Sequence, residues 1–307
     1  MAALRQVGGS LAKSLRQGCE NACAVMRSAC GAYRSCMAHL QRIVASNEVV
    51  YYRSQLLASE GFHHGFSTRH GGVSVAPFDS MNLGVAQAPG EPDSDDNILE
   101  NARRLMEAIG ASRSEMVRVR QVHECAVFQC QGDERFGTPS IAADAVLATD
   151  ARVAPCIRTA DCVPILLACI ESGVTCAIHA GWRGIVAGVV PQAIRAMCAV
   201  RGTRAGSLVA AIGPCIGREV YEVGPDVASE FSKAVGQAFV LLPGGSRVKE
   251  HIDCFGAVRE QLRASGVPME SIDGEELCTV ATPREFFSYR RDGARSGRMA
   301  AVIVPHG

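Results

Sequence analysis

A thiol, an imidazole and a guanidinium lie at the ends of two neighbouring apolar runs. Asp161 and Cys162 stand directly before the run VPILLACI, His179 closes the run VTCAIHA, and Arg183 follows in GWRG. A thiol with an imidazole as its base is one arrangement for nucleophilic catalysis, and a planar guanidinium binds phosphate through two hydrogen bonds. Strand ends are rigid, so side chains placed there can converge. We therefore centre the candidate site on residues 158–188.

The elements that must position these groups are strands and helices of ordinary length. The two apolar runs are short, rich in β-branched residues and bounded by turn residues, which predicts buried strands. Residues 185–200 read as a helix that either kinks at Pro191 or begins near it. Apolar residues at helical spacing predict another helix over 98–109, with Asp95 or Asp96 as its cap.

Composition limits the classes of function. The chain has 307 residues, 48% of them hydrophobic, and its 31 basic and 31 acidic residues give a net charge of zero. That balance does not favour binding to nucleic acid or to an anionic membrane surface. No run approaches the ~20 apolar residues of a membrane span. The 14 cysteines include no Cys-x-x-Cys pair, which indicates small buried side chains in a reducing compartment rather than disulfides.

Residues 1–45 differ from the rest of the chain. They are rich in Arg, Ser and Ala, and Glu20 is their only acid. This composition resembles an organelle transit peptide, and the alternative is an extension that is disordered and carries no address. We expect an intracellular protein, in the cytoplasm or, if the segment is a transit peptide, in a plastid or mitochondrion.

Two further segments contain polar residues that could belong to a site. In the loop 62–84, Gly71 and Gly72 could bring backbone amides close to a ligand and Arg69 could meet an anion. The alternative is an ordinary surface loop. His123 lies between two β-prone runs, where a strand end or bulge can aim a side chain, although a histidine at such a place is more often structural.

Several segments, taken together and in order, resemble the YfiH family, whose members are also called laccase-domain-containing or polyphenol-oxidase-like proteins. The likeness extends from about Tyr52 to Val304. HAGWRG together with TADC is highly specific, whereas one such motif alone would be weak. The segments are FSTRHGGVS, SMNLG, QVH, DAVLAT, TADCVP, HAGWRG, IGPCIGREVYEVG, FFSYRRDG and SGRMAAVI.

This resemblance implies a fold, an activity and a metal site. The implied fold is α+β, with two stacked mixed β-sheets flanked by helices as an α/β/β/α sandwich, in a single catalytic domain over residues 46–307. The implied activity is that of a purine nucleoside phosphorylase acting on adenosine, inosine or methylthioadenosine, with adenosine deaminase activity. The implied metal ligands are His123, Cys162 and His179, holding zinc, with copper as an alternative. Two imidazoles and a thiolate suit Zn²⁺ and leave its fourth position open.

A nucleoside and phosphate would be the partners of such an enzyme. Arg69 and Arg183 are candidates for holding phosphate, and Asn82 and Gln121 could hydrogen-bond to ribose or base. Asp161 could serve as the proton shuttle that base chemistry needs, or it could shape its turn. For each of these residues the alternative is a hydrogen bond or salt bridge that stabilises a loop.

Two rival functions stay open at this point. Cys162 could be a nucleophile with His179 as its base, which would make the protein an amidase or other hydrolase. The protein could also be a non-catalytic binding protein. The histidine content argues against multicopper oxidase chemistry, which needs about ten histidines in clustered His-x-His pairs. This chain has 8 histidines and no such pair.

Overall fold

The computed structural model describes residues 40–84, 92–130, 140–245 and 247–306. The predicted extension lies outside this range up to residue 39. Its last residues do not, because the strand Gln41–Val44 pairs with Val50–Arg53 and so belongs to the folded part of the chain. The possible transit peptide therefore stays a prediction.

The described residues form a succession of short strands and helices. The strands, in chain order, are β1 (Gln41–Val44), β2 (Val50–Arg53), β3 (His64–Ser67), β4 (Glu115–Val117), β5 (Val127–Gln129), β6 (Ala145–Ala148), β7 (Val153–Thr159), β8 (Val163–Cys169), β9 (Thr175–Ala180), β10 (Leu208–Ile212), β11 (Val240–Leu241), β12 (His251–Ile252), β13 (Ile272–Gly274) and β14 (Met299–Ile303). The α-helices are α1 (Gln55–Ser59), α2 (Asp95–Ala108), α3 (Trp182–Val186), α4 (Val189–Ala199), α5 (Pro225–Val235), α6 (Cys254–Ala264) and α7 (Tyr289–Asp292).

Two six-stranded sheets form the centre of the molecule. The first has the strand order β1-β2-β3-β14-β7-β4, and the second has the order β13-β10-β8-β9-β6-β5. Both are mixed: the β4–β7, β10–β13 and β5–β6 pairs are parallel, whereas the others are antiparallel. Strands β11 and β12 form a separate small hairpin. The predicted pair of mixed sheets is confirmed.

Alternation along the central strands explains why the sheets stack. In β8, Leu166 and Ala168 pack into the core between the two sheets, while Ile165 and Leu167 face the helices on the other side. Phe66 of the first sheet joins the core between the sheets. A strand that is apolar on both faces is buried on both, as the continuous run VPILLACI predicts.

Helices cover the two outer faces. Helix α2 places Leu105 and Met106 against the first sheet. Helices α3 to α6 cover the second sheet, and Ile194, Phe231 and Val258 are among their buried contacts. The layer order is therefore α/β/β/α, as expected. Within the described residues, no helix combines the length and apolarity that a membrane crossing requires.

Of two predicted helix starts, one differs in the structure and one agrees with an alternative that the sequence left open. The cap of α2 is Ser94, whose hydroxyl accepts the Asn97 N–H, and not Asp95 or Asp96, which lie in the first turn instead. The helical stretch after GWRG is broken at Gly188, which has φ +79°, so that Pro191 falls in the first turn of α4. A proline is tolerated there because the first N–H groups of a helix have no intrahelical partner.

Candidate active site

A cavity of about 540 Å³ opens at the edge where β7 ends, β8 begins and β9 ends. Antiparallel pairing of β8 with β9 places Val163 opposite Ala180, so the residues just outside these positions meet at the same edge. Cys162 and Gly181 therefore become neighbours although 19 positions of sequence, counted from 162 to 181, separate them.

His123, Cys162 and His179 converge at this edge. One ligand atom from each lies within 4.8 Å of the others. The two imidazole rings stand edge to face, with centroids 4.9 Å apart and planes at 74°. His179 is buried, Cys162 is half-buried and His123 is exposed, so the cluster is open on the side of His123. The three residues that the resemblance singled out are thus brought together.

Asp144 holds two members of this cluster in place. Its carboxylate accepts a hydrogen bond from His179 Nδ1 at 2.8 Å, which leaves Nε2 as the nitrogen available to a ligand. The same carboxylate accepts the backbone N–H groups of Val122, His123 and Glu124 at 2.8–3.2 Å. This fully buried carboxylate therefore fixes both the tautomer of one imidazole and the loop that presents the other.

The loop around His123 owes its shape to these bonds. His123 has φ +63°, in the left-handed region that side chains rarely adopt. The Asp144 bonds to three consecutive N–H groups stabilise that conformation, which turns the imidazole toward β8 and β9. Sequence analysis gave Asp144 no role, because 21 residues separate it from His123 and 35 from His179.

The thiol and the imidazole at the centre of the cluster stabilise each other's charged forms. Burial alone would raise the pKa of Cys162, but the His179 and His123 imidazoles outweigh it and lower that pKa. Burial alone would lower the pKa of His179, but the Cys162 sulfur and Asp144 outweigh it and raise that pKa. The pair is therefore disposed toward a thiolate, the form that acts as metal ligand or nucleophile.

Gly181 leaves the space that the cluster needs. A Cβ at this position would lie 2.8 Å from His123 Cδ2 and 3.1 Å from Cys162 Sγ. Cβ contacts under 3.0 Å almost never occur and one of 3.1 Å is tighter than most, so a side chain here would push against both the imidazole and the thiol. The first glycine of HAGWRG is thus a direct requirement of the cluster.

Two imidazoles and one thiolate form a suitable set for a metal ion. Zn²⁺ is commonly bound by histidine nitrogen and cysteine sulfur, and a catalytic zinc site has three protein ligands. The Asp144–His179 bond is the outer carboxylate partner that ligating histidines usually have. The residues present therefore fit a metal centre in donor type, number and support.

Asp161 lines the cavity, but both of its carboxylate oxygens are occupied. Oδ1 accepts the Thr279 hydroxyl and Oδ2 accepts the Arg290 backbone N–H, each at 2.6 Å. Its φ of +100° is strained for a residue with a side chain. These contacts tie the TADC turn to the segment that contains α7.

Gln121 and Arg183 also line the cavity. Both ends of the Gln121 amide bond to the backbone of Arg158, Nε2 to the carbonyl oxygen at 2.6 Å and Oε1 to the N–H at 2.9 Å. Arg183 lies over the Trp182 ring, 4.5 Å from its centroid. The Gln121 side chain therefore holds the end of β7 in position, whereas the Arg183 guanidinium stacks on the Trp182 ring.

The structure does not bring Arg69 or Asn82 into the cavity. Arg69 donates to the carbonyl oxygens of Asp79 and Pro283 and lies over Phe287, so its guanidinium fastens one loop to another. Asn82 is fully buried and bonds to Gly84, among other partners. Both residues were candidates for ligand contacts under the family resemblance, and these partners favour the loop-stabilising alternative.

The glycines of the same loop serve packing. A Cβ on Gly71 would lie 2.4 Å from the Glu48 carbonyl oxygen, and one on Gly72 would lie 2.1 Å from that of Ser80. The close approach expected at Gly71-Gly72 is therefore between backbone segments. No ligand is needed to explain it.

Other residues of the cavity were not selected from the sequence as site residues. Arg158 and Arg298 contribute positive charge, and Trp182, Tyr221 and Tyr289 contribute aromatic surface. Arg158 and Trp182 lie in the stretch 158–188 that sequence analysis had centred on. Arg298 and the tyrosines come from distant segments, and a single sequence gives no distance information that would place them here.

Comparison with known proteins shows which family the chain resembles. The family model described as "Multi-copper polyphenol oxidoreductase laccase" matches residues 63–306. A protein of Deinococcus radiodurans named purine nucleoside phosphorylase is 38% identical over 240 residues, 78% of this chain and 88% of that protein. One of Bacteroides thetaiotaomicron with the same name is 33% identical over 86% of this chain and 98% of its own length.

A solved structure shows the same fold. The crystal structure of YlmD from Geobacillus stearothermophilus superposes with a TM-score of 0.76 at 28% identity, over 88% of this chain and 99% of that one. Since the family model covers most of the chain and relatives above 30% identity align along nearly their full length, this chain belongs to the YfiH-type multi-copper polyphenol oxidoreductase laccase family.

Proposed function

We propose that this protein is a metal-dependent purine nucleoside phosphorylase, acting on adenosine, inosine or methylthioadenosine, and that it also deaminates adenosine. The observation that carries the proposal is the convergence of His123, Cys162 and His179 in a cavity that also contains cationic and aromatic side chains. The names of the two bacterial relatives support the phosphorylase assignment.

His123, Cys162 and His179 would hold the metal. Zinc is the proposed ion, because two imidazoles and a thiolate with an open fourth position are typical of catalytic zinc, and copper is the alternative. A zinc ion supplies Lewis acidity and makes water a nucleophile near neutral pH. The protein's own part is to keep His179 Nε2 and the Cys162 sulfur facing the cavity. Asp144 does this for His179, and Gly181 does it for Cys162 by leaving room.

In phosphorolysis, a phosphate oxygen bonds to C1′ of the ribose while the bond from C1′ to the purine nitrogen breaks. The purine leaves with the bonding electrons and takes up a proton. The residues must therefore hold a dianion on one side of the ribose and the flat base on the other. Trp182 and Tyr221 offer aromatic surfaces for the base.

For Asp161, its contacts favour a positioning role over a proton shuttle. Both oxygens already accept hydrogen bonds, one from Thr279 and one from the Arg290 N–H. Moving a proton through this carboxylate would require one of these bonds to break. The turn-shaping alternative is thus the better supported of the two.

A second function is favoured by one specific arrangement, the thiol of Cys162 beside the imidazole of His179, where burial raises the thiol's pKa but the neighbouring imidazoles lower it by more. Such a pair could act as nucleophile and base in an amidase or other hydrolase. Rapid alkylation of Cys162 by iodoacetamide in metal-containing protein would support this rival. A stoichiometric metal that protects the thiol, and is lost in Cys162→Ser, would contradict it.

The test is to incubate the metal-replete protein with adenosine, inosine and methylthioadenosine, with and without orthophosphate, and to identify products by chromatography. Free base and ribose 1-phosphate (methylthioribose 1-phosphate from methylthioadenosine), formed only with phosphate, are expected, and adenosine should also give inosine. Arg195→Gln, an exposed change on α4, is the matched control for handling. Absence of turnover of all three nucleosides would contradict the proposal and favour the non-catalytic binding protein.

A further inference from the structure

Arg158 and Arg298 lie side by side on one wall of the cavity. Both side chains pack against the same glycine: a Cβ on Gly84 would lie 2.6 Å from Arg298 Cγ and 3.6 Å from Arg158 Cδ. Arg158 comes from the end of β7 and Arg298 from the residue before β14, and these strands are paired. Two guanidinium groups are therefore held together by the sheet itself.

The charges of this pair have no carboxylate partner among the described residues. The ion pairs of the described chain include neither Arg158 nor Arg298. Nε of Arg158 is buried without a hydrogen-bond partner. Arg298 Nη1 donates to the carbonyl oxygens of Ser296 and Gly297, which orient the group without neutralising it.

Burial makes this arrangement costly without an anion. Burial lowers the pKa of both residues, and for Arg298 the neighbouring charge of Arg158 adds to that effect. Asp161, which lines the same cavity, favours the charged form of Arg298 but forms no ion pair with either arginine, and its oxygens accept the Thr279 hydroxyl and the Arg290 N–H. Buried charges are normally paired, so this pair is suited to binding a small anion.

The pair is also tied to the candidate metal cluster. Gln121 bonds to both the N–H and the carbonyl oxygen of Arg158, and His123 follows Gln121 by two residues. An anion on the arginines therefore lies in the same cavity as the cluster, at a wall whose position is fixed relative to His123. A phosphate held there would share the cavity with a nucleoside bound beside the cluster.

We propose that Arg158 and Arg298 form the orthophosphate subsite of this enzyme. The inference rests on the proposed phosphorylase function and replaces Arg69, which the loop contacts occupy. A pair of guanidinium forks matches the tetrahedral oxygens of phosphate, since each fork can donate two parallel hydrogen bonds. The same chemistry would suit the phosphate of a nucleotide, so the test must separate free orthophosphate from a phosphate ester.

Binding can be measured without turnover, because Trp182 is the only tryptophan of the chain and lines the cavity. Its fluorescence in the metal-replete protein is titrated with orthophosphate and, separately, with AMP. Saturable quenching or enhancement by orthophosphate at constant ionic strength is expected. A response to AMP that orthophosphate neither produces nor displaces would overturn the assignment to orthophosphate.

The variants are Arg158→Gln and Arg298→Gln, with Arg158→Lys and Arg298→Lys as conservative partners. We expect each Gln variant to raise the phosphate Kd and the phosphate KM by about 10- to 100-fold, as loss of a charged hydrogen bond predicts, with the nucleoside KM changed much less. The Lys variants keep the charge and should recover part of the loss. Arg195→Gln should match the unmodified protein.

Metal content and melting temperature of each variant separate a local effect from misfolding. An unchanged phosphate Kd in folded, metal-replete Arg158→Gln and Arg298→Gln would overturn the inference, and so would a raised phosphate KM in Arg69→Gln alone. Failure of the phosphorylase proposal gives a different result, because phosphate would then bind through the arginines without producing ribose 1-phosphate from any nucleoside.

Discussion

His64 and His179 are both buried histidines on central strands, with 1% and 3% of their surface exposed. Each uses Nδ1 in a short hydrogen bond, His64 to the Phe62 carbonyl oxygen at 2.9 Å and His179 to Asp144 at 2.8 Å. They differ at Nε2. In His64 this nitrogen accepts the Ser54 N–H, whereas in His179 it faces His123 and Cys162.

The difference in partners sets opposite titration behaviour. Burial lowers the pKa of His64 to about 4, since both of its ring nitrogens are satisfied by backbone groups and no anion compensates for a charge. Burial acts in the same direction on His179, but the Cys162 sulfur and the Asp144 carboxylate reverse it. A buried histidine is thus structural or chemical according to what its second nitrogen meets.

The largest expected effect comes from changing each histidine to glutamine. His179→Gln removes a proposed metal ligand. Loss of a residue that only supports a ligand lowers metal affinity or activity by up to about 100-fold. The fall in metal content and in nucleoside turnover should be larger than that here. His64→Gln should keep the metal and the turnover, and should lose only stability through its backbone bonds. Metal analysis of the purified proteins and initial rates measure the contrast.

Equal metal content in the two variants would contradict the distinction between these histidines. Melting temperatures serve as the control, because His64→Gln is the variant expected to melt at a lower temperature. If metal were lost only because the fold was less stable, His64→Gln would be the variant that loses it.

The second effect is the pH dependence of stability contributed by His64. Its folded pKa of about 4 lies below the unfolded value of 6.5, so as pH falls the unfolded chain binds the proton first. The contribution is therefore complete above about pH 6.5 and is lost as pH falls toward about 4, by about 3 kcal/mol in all. The advantage of the unmodified protein over His64→Gln should shrink by that amount.

Denaturant unfolding of the metal-free forms at several pH values between about 7 and about 4 measures this difference. The carboxylates titrate in both proteins, so their contributions to the stability difference cancel. A stability difference that does not change with pH would contradict the assignment of a neutral, doubly bonded His64.

Several central strands could be predicted from local sequence, although β3 (His64–Ser67) lies within the stretch 62–84 that was read as a loop, and the site could be predicted only in part. Continuous apolar runs identified β8 and β9, and the family motifs identified His123, Cys162 and His179. Their spacing alone could not, because the ligands come from a loop and two strand ends that only the sheet pairing unites. The N-cap of α2 was missed by one residue, since Ser94 and Asp95 are both good caps.

Polar residues in loops were the least predictable. Arg69 and Arg158 are both arginines near family motifs, and composition does not distinguish them. Partners across the fold do: Arg69 is fastened by the carbonyl oxygens of Asp79 and Pro283, whereas Nε of Arg158 has no partner. The same argument applies to Asp144, whose importance comes from four hydrogen bonds to residues at least 20 positions away.

The smallest effect, and the sharpest test of the comparison, is Asp144→Asn. The amide keeps the size of the carboxylate and one acceptor oxygen, but it loses the negative charge that supports His179. Since outer carboxylate partners typically contribute 10- to 100-fold to metal affinity or activity, metal affinity should fall by about that factor. Metal titration with a competing chelator measures the change.

Because His64 relies on a carbonyl oxygen instead of a carboxylate, its environment should be unaffected, and the pH dependence of stability that it contributes should persist in Asp144→Asn. Loss of that pH dependence would mean that the variant had disturbed the whole fold, whereas unchanged metal affinity would show that Asp144 holds only the backbone of the His123 loop.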